Sequence, residues 1–202
     1  CMENDETIKY EENLIPYTRE QLVGKVQEKL DDKRFQHCLR VEQQAIELAK
    51  ENDYDVEKAA IAGLLHDYAK QRSDHDFIKV INDKQMNPVL LDYGNAIWHG
   101  VVGAEFIKDE LQIFDEEILN AVRRHTVGAP YMTQLDQIVY MADYIEPGRD
   151  FPGVDEARQI THENLKKGVF FQTQQTLKHL VETAKPIYPG TITTYNAWQS
   201  AI

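Results

Sequence analysis

The sequence lacks a disulfide framework and a long apolar run, and we expect no signal peptide in it. Only two cysteines occur among 202 residues, too few for a chain held together by disulfides. Cys1 precedes Met2 and is expected to be a remnant of expression, whereas Cys38 is interpreted as a small buried thiol. No apolar run approaches the roughly 18 residues of a membrane span, and the N-terminus is acidic and polar. We therefore expect a cytoplasmic protein without membrane contact.

Positive charge is scarce as well. Lysine and arginine total 22 against 34 aspartates and glutamates, so the formal net charge is −12. This balance excludes broad electrostatic binding to nucleic acid, which needs a basic surface. Any anionic substrate must instead meet a local cluster of cations or a metal. The length suits one domain; we expect a flexible leader over residues 1–17 and a single domain over residues 18–202.

Alternating strand patterns are also missing, and apolar residues recur at helical spacing. The stretch AAIAGLLHDYAK, residues 59–70, is apolar nearly all round, which is typical of a helix in the middle of a bundle. The sequence thus predicts an all-α bundle. The predicted helices span residues 18–30, 32–50, 56–70, 74–84, 99–111, 115–125, 134–146 and 154–184. The last is predicted as one helix or as two divided at Gly168, and it is followed by a turn or loop over 186–191 and a short helix or docked strand over 192–202.

Acidic residues inside apolar helices indicate a metal site. Asp67 lies in GLLHDYA and Asp143 in VYMADYIEP, where an unpaired carboxylate carries a large desolvation cost unless a cation compensates it. Histidines recur on or at the edge of predicted helices, and a bundle can bring such residues together in its core. Taken alone, His37 is more often a hydrogen-bonded core histidine than a ligand. The candidate cluster comprises His37, His66, Asp67, His99, His125 and Asp143, and it points to a metal-dependent hydrolase.

Three basic residues are candidates for contacts near such a site. Arg40 follows His37 by one helical turn, so both can face one cleft. Lys70 follows His66 by four residues and is predicted on the same helix face, where it can steady phosphate charge; a lysine favoured by the helix C-terminus is an equal alternative. Arg149 lies in the loop EPGRDFPG just after Asp143, and loops near a site often contact substrate.

The order of these residues resembles the HD-domain metal-dependent phosphohydrolase superfamily. The finer pattern is similar to its YqeK-like branch, the symmetrical bis(5′-nucleosyl)-tetraphosphate hydrolases, over residues 18–195. The motifs that carry this likeness are LLHDYAK at 64–70, the isolated His99, RRHT at 123–126, ADYIEPGRDFPGV at 142–154 and PIYPGT at 186–191. One departure is HTVG at 125–128 where the family has a sequence nearer HTTG, which keeps Thr126 but removes the following hydroxyl.

The resemblance implies an enzyme that splits diadenosine tetraphosphate into two ADP with metal-activated water. It implies iron as the expected metal, with manganese or another divalent ion as an alternative and one or two ions bound. His37, His66, Asp67 and Asp143 would hold the principal metal. His99 and His125 would either complete a second site bridged by Asp67 or contact phosphate directly. The residues expected to act in catalysis are Lys70, His99 and His125, and those expected around the nucleotide are Arg34, His99, His125, Thr126, Arg149, Pro186, Ile187, Tyr188, Pro189, Gly190 and Thr191.

Two other functions stay open at the level of sequence. The same metal core would serve an HD phosphohydrolase acting on a mononucleotide, a cyclic dinucleotide or a guanosine alarmone. A protein of another class, a non-catalytic nucleotide sensor with a structural metal, is the second alternative. The expected partner is a nucleotide substrate, with a homodimer left open and nucleic acid excluded.

Overall fold

The computed structural model describes residues 7–201. Within that range the chain forms eleven α-helices and two short 3-10 helices, and it contains no strand. The predicted all-α fold is therefore confirmed. The α-helices are α1 (Arg19–Gln27), α2 (Asp32–Glu51), α3 (Val56–Leu65), α4 (Asp74–Asp83), α5 (Asn95–Val101), α6 (Gly103–Leu111), α7 (Glu116–Arg124), α8 (Gln134–Ile145), α9 (Val154–Glu163), α10 (Leu165–Glu182) and α11 (Pro189–Trp198).

Short polar side chains begin the first three helices where the sequence predicts. Thr18 accepts the backbone N–H of Gln21, and the Gln21 side chain accepts the N–H of Thr18, which makes a capping box at α1. Asp31 accepts the N–H of Arg34 at α2, and Asp55 caps α3 in the same way. Each bond satisfies an N–H group that has no partner within the helix, and it thereby fixes where the helix begins.

Helix α3 lies at the centre of the bundle because its surface is almost wholly apolar. It contacts α2, α7 and α8, and residues 59–65 are all buried. Gly63 allows α2 to approach closely, since a Cβ atom there would lie 3.1 Å from the Cα of Glu42. A fully buried leucine contributes about 1.5–3 kcal/mol, so such a helix is stable only when other helices cover it. The residues that directly follow α3 are consequently inside the molecule, and the first two of them are His66 and Asp67.

Two predicted helices end or divide earlier than the apolar pattern suggested. The helix predicted over 56–70 stops at Leu65, and the following residues form turns in which the N–H of Lys70 bonds the carbonyl of Asp67 at 2.9 Å. The segment 99–111 is covered by two helices, α5 and α6, that meet at Val102. Helical periodicity continues past Leu65, so the sequence does not reveal that end, whereas Gly100 and Gly103 flank the junction at Val102.

Two boundaries near the C-terminus also differ from the prediction. The break within 154–184 falls at Asn164, whose side chain caps α10, and Gly168 lies inside that helix. Glycine suits position 168 for packing, because a Cβ atom would come within 2.6 Å of the Thr161 hydroxyl oxygen. Helix α11 begins at Pro189, inside the predicted turn, which is consistent with the preference of proline for the first turn of a helix.

The segment before α1 is irregular but packed over the part that the structure describes, residues 7–17. The Glu57 carboxylate accepts the backbone N–H groups of Glu11 and Glu12. The Tyr17 hydroxyl donates to the Leu111 carbonyl over 2.9 Å, and Ile15 is buried. The sequence did not predict these contacts; Cys1 and the rest of residues 1–6 lie outside the described range. Among the described helices, none combines the length and apolar character that crossing a membrane requires.

Candidate metal centre and active site

Five parts of the bundle bring six side chains into one site, which we call the histidine–aspartate cluster. Neighbouring imidazole rings within it have centroids 5.2, 5.0 and 4.9 Å apart. The cluster comprises His37 of α2, His66 and Asp67 after α3, His99 of α5, His125 after α7 and Asp143 of α8. All of the ligands suggested by the sequence therefore lie together in the structure.

Backbone carbonyls orient three of the imidazoles. A carbonyl oxygen only accepts a hydrogen bond, so the Nδ1 atom that faces it carries the proton and Nε2 of the neutral ring keeps a lone pair. For His66 and His125 the carbonyl belongs to the last turn of the preceding helix, where such groups lack a helical partner. The Nδ1–H of His66 donates to Gly63, that of His99 to Asn95 and that of His125 to Val122, each over 2.7 Å.

Asp67 faces both ends of the cluster. Its Oδ2 atom lies 3.5 Å from Nε2 of His37 and 3.4 Å from Nε2 of His66. Its Oδ1 atom lies 3.5 Å from Nε2 of His99 and 3.4 Å from Nε2 of His125. A carboxylate with its two oxygens directed at two pairs of imidazoles divides the cluster into two halves that share Asp67.

Asp143 belongs to the first of these halves. Its Oδ1 atom lies 2.9 Å from Nε2 of His37 and 3.4 Å from Nε2 of His66. Donor atoms of these three residues all lie within 4.8 Å of one another, and the same holds for His66, Asp67 and His125. The half that contains Asp143 is partly open to solvent, because the Asp143 side chain is 18% exposed. The His66 side chain in the same half is fully buried.

The donor set fits a divalent transition metal. Imidazole nitrogens mixed with carboxylate oxygens suit iron, manganese and related ions. Within the described residues Nε2 of His125 is buried and has no hydrogen-bond partner, although a buried polar atom left unpaired is costly. An ion held between His125 and Asp67 would supply that partner. The chemistry of the residues present therefore agrees with a metal at this position.

The charges of the cluster favour a cation at its centre. Burial lowers the pKa of His66, but the carboxylates of Asp67 and Asp143 outweigh it and raise that pKa to about 10. Burial raises the pKa of Asp67, yet the neighbouring imidazoles hold it well below its usual range. For His99, burial and the nearby His125 lower the pKa to about 3, which keeps that ring neutral and able to bind a metal.

Two arginines contact the carboxylates of the cluster. Arg34 lies 3.1 Å from Oδ2 of Asp67, and Arg149 lies 2.9 Å from Oδ1 of Asp143. Arg149 also donates from Nε to the backbone carbonyl of Asp143 over 2.9 Å. The two side chains are 29% and 36% exposed, so each guanidinium extends from a buried carboxylate toward solvent, where an anionic substrate can reach it.

Lys70 also lies near the carboxylates of the cluster, but its backbone conformation is not the one that the sequence predicted. It follows α3 in a series of turns instead of lying one helical turn from His66 on a continuous helix. Burial lowers the pKa of Lys70, while Asp67 and Asp143 raise it and the two arginines lower it further. In the part of the chain that the structure describes, the Lys70 ammonium forms no hydrogen bond or ion pair, and it is therefore available to a phosphate.

Thr126 lies beside the cluster with its hydroxyl oxygen buried and unpartnered within residues 7–201. The PIYPGT segment leads into α11, and Thr194 of that helix donates to the carbonyl of Val127 over 3.0 Å. The segment therefore lies near the part of the chain that follows Thr126. Tyr188 packs edge-on against Tyr93, with ring centroids 5.2 Å apart. No hydrogen bond or ion pair among the described residues joins 186–191 to the histidine–aspartate cluster, so the nucleotide contacts of this segment stay predictions.

Sequence reasoning missed Glu146. This residue follows α8 directly, its side chain is 1% exposed, and its Oε2 atom lies 2.7 Å from Nδ1 of His37. It also accepts Nε of Arg40 at 3.0 Å. Its position three residues after Asp143, next to a proline and a glycine, resembles an ordinary helix end. The contact with His37 depends on how α2 and α8 pack, which the local sequence does not reveal.

Comparison with known proteins places the chain among hydrolases. The family described as HD domain matches residues 34–148. A protein of Bacillus subtilis (strain 168) named "Bis(5′-nucleosyl)-tetraphosphatase, symmetrical" is 40% identical over 178 residues, covering 88% of this chain and 96% of that protein. One of the same name from Staphylococcus aureus is 37% identical over 171 residues, covering 84% and 88%.

A solved structure agrees in fold. The crystal structure described as a predicted HD superfamily hydrolase involved in NAD metabolism, from Clostridium acetobutylicum, superposes with a TM-score of 0.87 and 34% sequence identity, covering 92% of this chain and 99% of that one. His37, His66-Asp67 and Asp143 all lie within residues 34–148, which the HD-domain family matches. The chain belongs to the HD-domain family, in the branch of proteins named symmetrical bis(5′-nucleosyl)-tetraphosphatase.

Proposed function

We propose that this protein is a metal-dependent hydrolase that cleaves diadenosine tetraphosphate symmetrically into two ADP. The relatives that bear the corresponding name are 37–40% identical over most of the chain. The observation that carries the proposal is the two-sided histidine–aspartate cluster beside the partly exposed Arg34 and Arg149 and beside Lys70, whose ammonium has no hydrogen bond or ion pair among the described residues. Such a site combines metal ligands with the positive charge that a polyphosphate needs in a chain of net charge −12.

We propose that the cluster holds two ions, with iron as the native metal and manganese as the nearest substitute. His37, His66 and Asp143 would hold one ion, His99 and His125 the other, and Asp67 would bridge them. The two carboxylate oxygens of Asp67, each 3.4–3.5 Å from a pair of imidazole nitrogens, support this division. When bound, such a metal polarises a phosphoryl oxygen and lowers the pKa of a water.

The basic residues at the edge of the cluster would position the polyphosphate. Hydrolysis adds one water across the central P–O–P bond, so that one phosphate gains hydroxyl oxygen and the other leaves with a proton, and both products are ADP. Charge builds on the leaving oxygen, and a fixed cation beside it lowers the barrier. Lys70 is the proposed catalytic cation because its ammonium forms no hydrogen bond or ion pair with the residues that the structure describes, whereas Arg34 and Arg149 would hold the phosphates on either side.

The remaining nucleotide contacts are proposed from position. Thr126 offers a hydroxyl beside the cluster that has no partner among the described residues, and Tyr188 offers an aromatic ring that an adenine or ribose can pack against. The segment Pro186–Thr191 would close around this end of the substrate. We further propose that residues 18–202 form one catalytic domain and that the enzyme works in the cytoplasm.

Anaerobic turnover of diadenosine tetraphosphate by iron-loaded protein tests the proposal. We expect ADP as the sole product when products are resolved by chromatography. ATP with AMP would contradict symmetrical cleavage. Parallel reactions with NAD, a mononucleotide, a cyclic dinucleotide and a guanosine alarmone test the rival substrates. Tight binding of nucleotide without turnover of any of them, in protein whose metal content is verified, would instead favour a nucleotide sensor.

A further inference from the structure

We propose that Glu146 is a positioning residue that fixes His37 as a metal ligand, and that Arg40 holds Glu146 in place. The inference rests on the proposed function only in taking His37 to bind a metal. His37 is the one histidine of the cluster whose Nδ1 atom faces a carboxylate; the other three face backbone carbonyls at 2.7 Å.

His37 differs from the other three histidines in the element that accepts its Nδ1–H group. His66 and His125 follow helix ends, and carbonyls of the preceding helix accept their Nδ1–H groups. His99 lies within α5 and bonds the Asn95 carbonyl of its own helix. His37 lies within the 20-residue helix α2, and its acceptor is on another element, since Glu146 lies 2.7 Å from its Nδ1 atom. The bond assigns the proton to Nδ1 and leaves Nε2 directed at Asp67 and Asp143.

The Glu146 carboxylate is itself held in place. Its Oε1 atom accepts Nε of Arg40 at 3.0 Å and the backbone N–H of Gly148. Glycine at 148 leaves room for this pair, because a Cβ atom there would clash with Nε of Arg40 and would lie 2.6 Å from that same oxygen. The side chain has 1% exposure, whereas Arg40 is 41% exposed and covers it from solvent. Arg40, Glu146 and His37 thus form a chain that runs from the surface to the cluster.

A carboxylate behind an imidazole acts on the metal through the ring. It prevents the ring from rotating and makes Nε2 a stronger donor, and loss of such a partner typically lowers metal affinity by about 10–100-fold. The role is separate from catalysis, since the Glu146 side chain bonds His37, Arg40 and the N–H of Gly148 and would act on the metal only through the His37 ring. It should therefore appear in metal binding even when no substrate is present.

Cobalt(II) titration of metal-stripped protein tests the inference. Affinity is measured by competition with a chromophoric chelator, and the visible ligand-field spectrum is recorded at saturation. We expect Glu146→Gln to bind Co²⁺ about 10–100-fold more weakly and with a shifted spectrum, because the amide still fits but no longer carries charge. Arg40→Gln, a change at a half-exposed residue that folding tolerates, should weaken binding in the same direction by a smaller factor.

Glu42→Gln is the matched control. Glu42 is also a fully buried glutamate bonded to an arginine, Arg19, at 2.8 Å, but among the described residues no hydrogen bond or ion pair joins it to His37. It should lose stability without a change in Co²⁺ affinity or spectrum. Wild-type affinity and spectrum in both Glu146→Gln and Arg40→Gln would overturn the inference while leaving the proposed function intact. Failure of the wild-type protein to bind Co²⁺ or iron would instead overturn the metal centre itself, and this inference with it.

Discussion

The close approach of α5 to the end of α7 can be tested by adding one methyl group at Gly100. This glycine directly follows His99, and Thr126 directly follows His125. A Cβ atom at position 100 would lie 2.9 Å from both Oγ1 and Cγ2 of Thr126 and 3.2 Å from the Val122 carbonyl oxygen. Gly100→Ala therefore acts on the distance between the two histidines without altering either of them.

The size of the expected effect follows from these distances. Comfortable contacts between carbon atoms lie near 3.5–4.0 Å, so α5 must move by about 0.5 Å or more to accept the methyl group. Catalytic groups tolerate displacements of about 0.5 Å, and a displacement near 1 Å costs up to about 10²-fold in rate. We expect kcat to fall by about 10–100-fold and metal content to fall, because His99 and His125 no longer meet at Asp67.

Stability should fall as well. Overpacking a buried contact costs about 1–3 kcal/mol, whereas alanine gains at most about 1 kcal/mol over glycine in a helix. Gly24→Ala is the matched control, since nothing lies within 4 Å of a Cβ atom there; it should stabilise α1 and leave activity unchanged. For both variants, urea unfolding measures the stability, elemental analysis measures the bound metal and a turnover assay measures kcat. If Gly100→Ala resembled Gly24→Ala in all three, the close approach would not set the geometry of the site.

Three further substitutions separate the roles within the site. Asp67→Ala removes the carboxylate shared by both halves of the cluster, so bound metal and turnover should both fall to background, as elemental analysis and product chromatography would reveal. Lys70→Ala should keep its metal but lose about 10²-fold in kcat if the ammonium stabilises developing charge, with Lys70→Arg recovering part of the rate; equal loss of metal would contradict that role. Arg149→Ala should raise KM and weaken nucleotide binding by calorimetry, and unchanged affinity would mean that Arg149 contacts only Asp143.

A control for the lysine variants is available on the surface. Lys79 is 65% exposed and pairs with Asp83 one turn away on α4. Lys79→Ala removes the same charge at a distance from the cluster and should leave metal content and kcat unchanged. A loss of rate in this variant comparable to that of Lys70→Ala would show that net charge, and not the position of Lys70, governs the reaction.

Much of the fold was predictable because its determinants are local. Helical spacing of apolar residues predicts the bundle, and Thr18, Asp31 and Asp55 mark helix starts through hydrogen bonds to residues three positions away. The ends were harder to predict. The apolar pattern runs past Leu65 without a break, and α3 stops there although nothing in the residues that follow signals an end.

The sequence by itself determined a set of candidate metal ligands, because an aspartate in an apolar stretch needs a cation or strong hydrogen-bond donors once that stretch is buried. Only the tertiary structure decided how they act together. The place of Lys70 beside the carboxylates depends on the turns that follow α3. The sharing of Asp67 between two pairs of histidines and the support of His37 by Glu146 join residues far apart in the chain, the adjacent His66 and Asp67 excepted. Such pairings depend on crossing positions of helices set by packing at many contacts at once, and no local pattern records them.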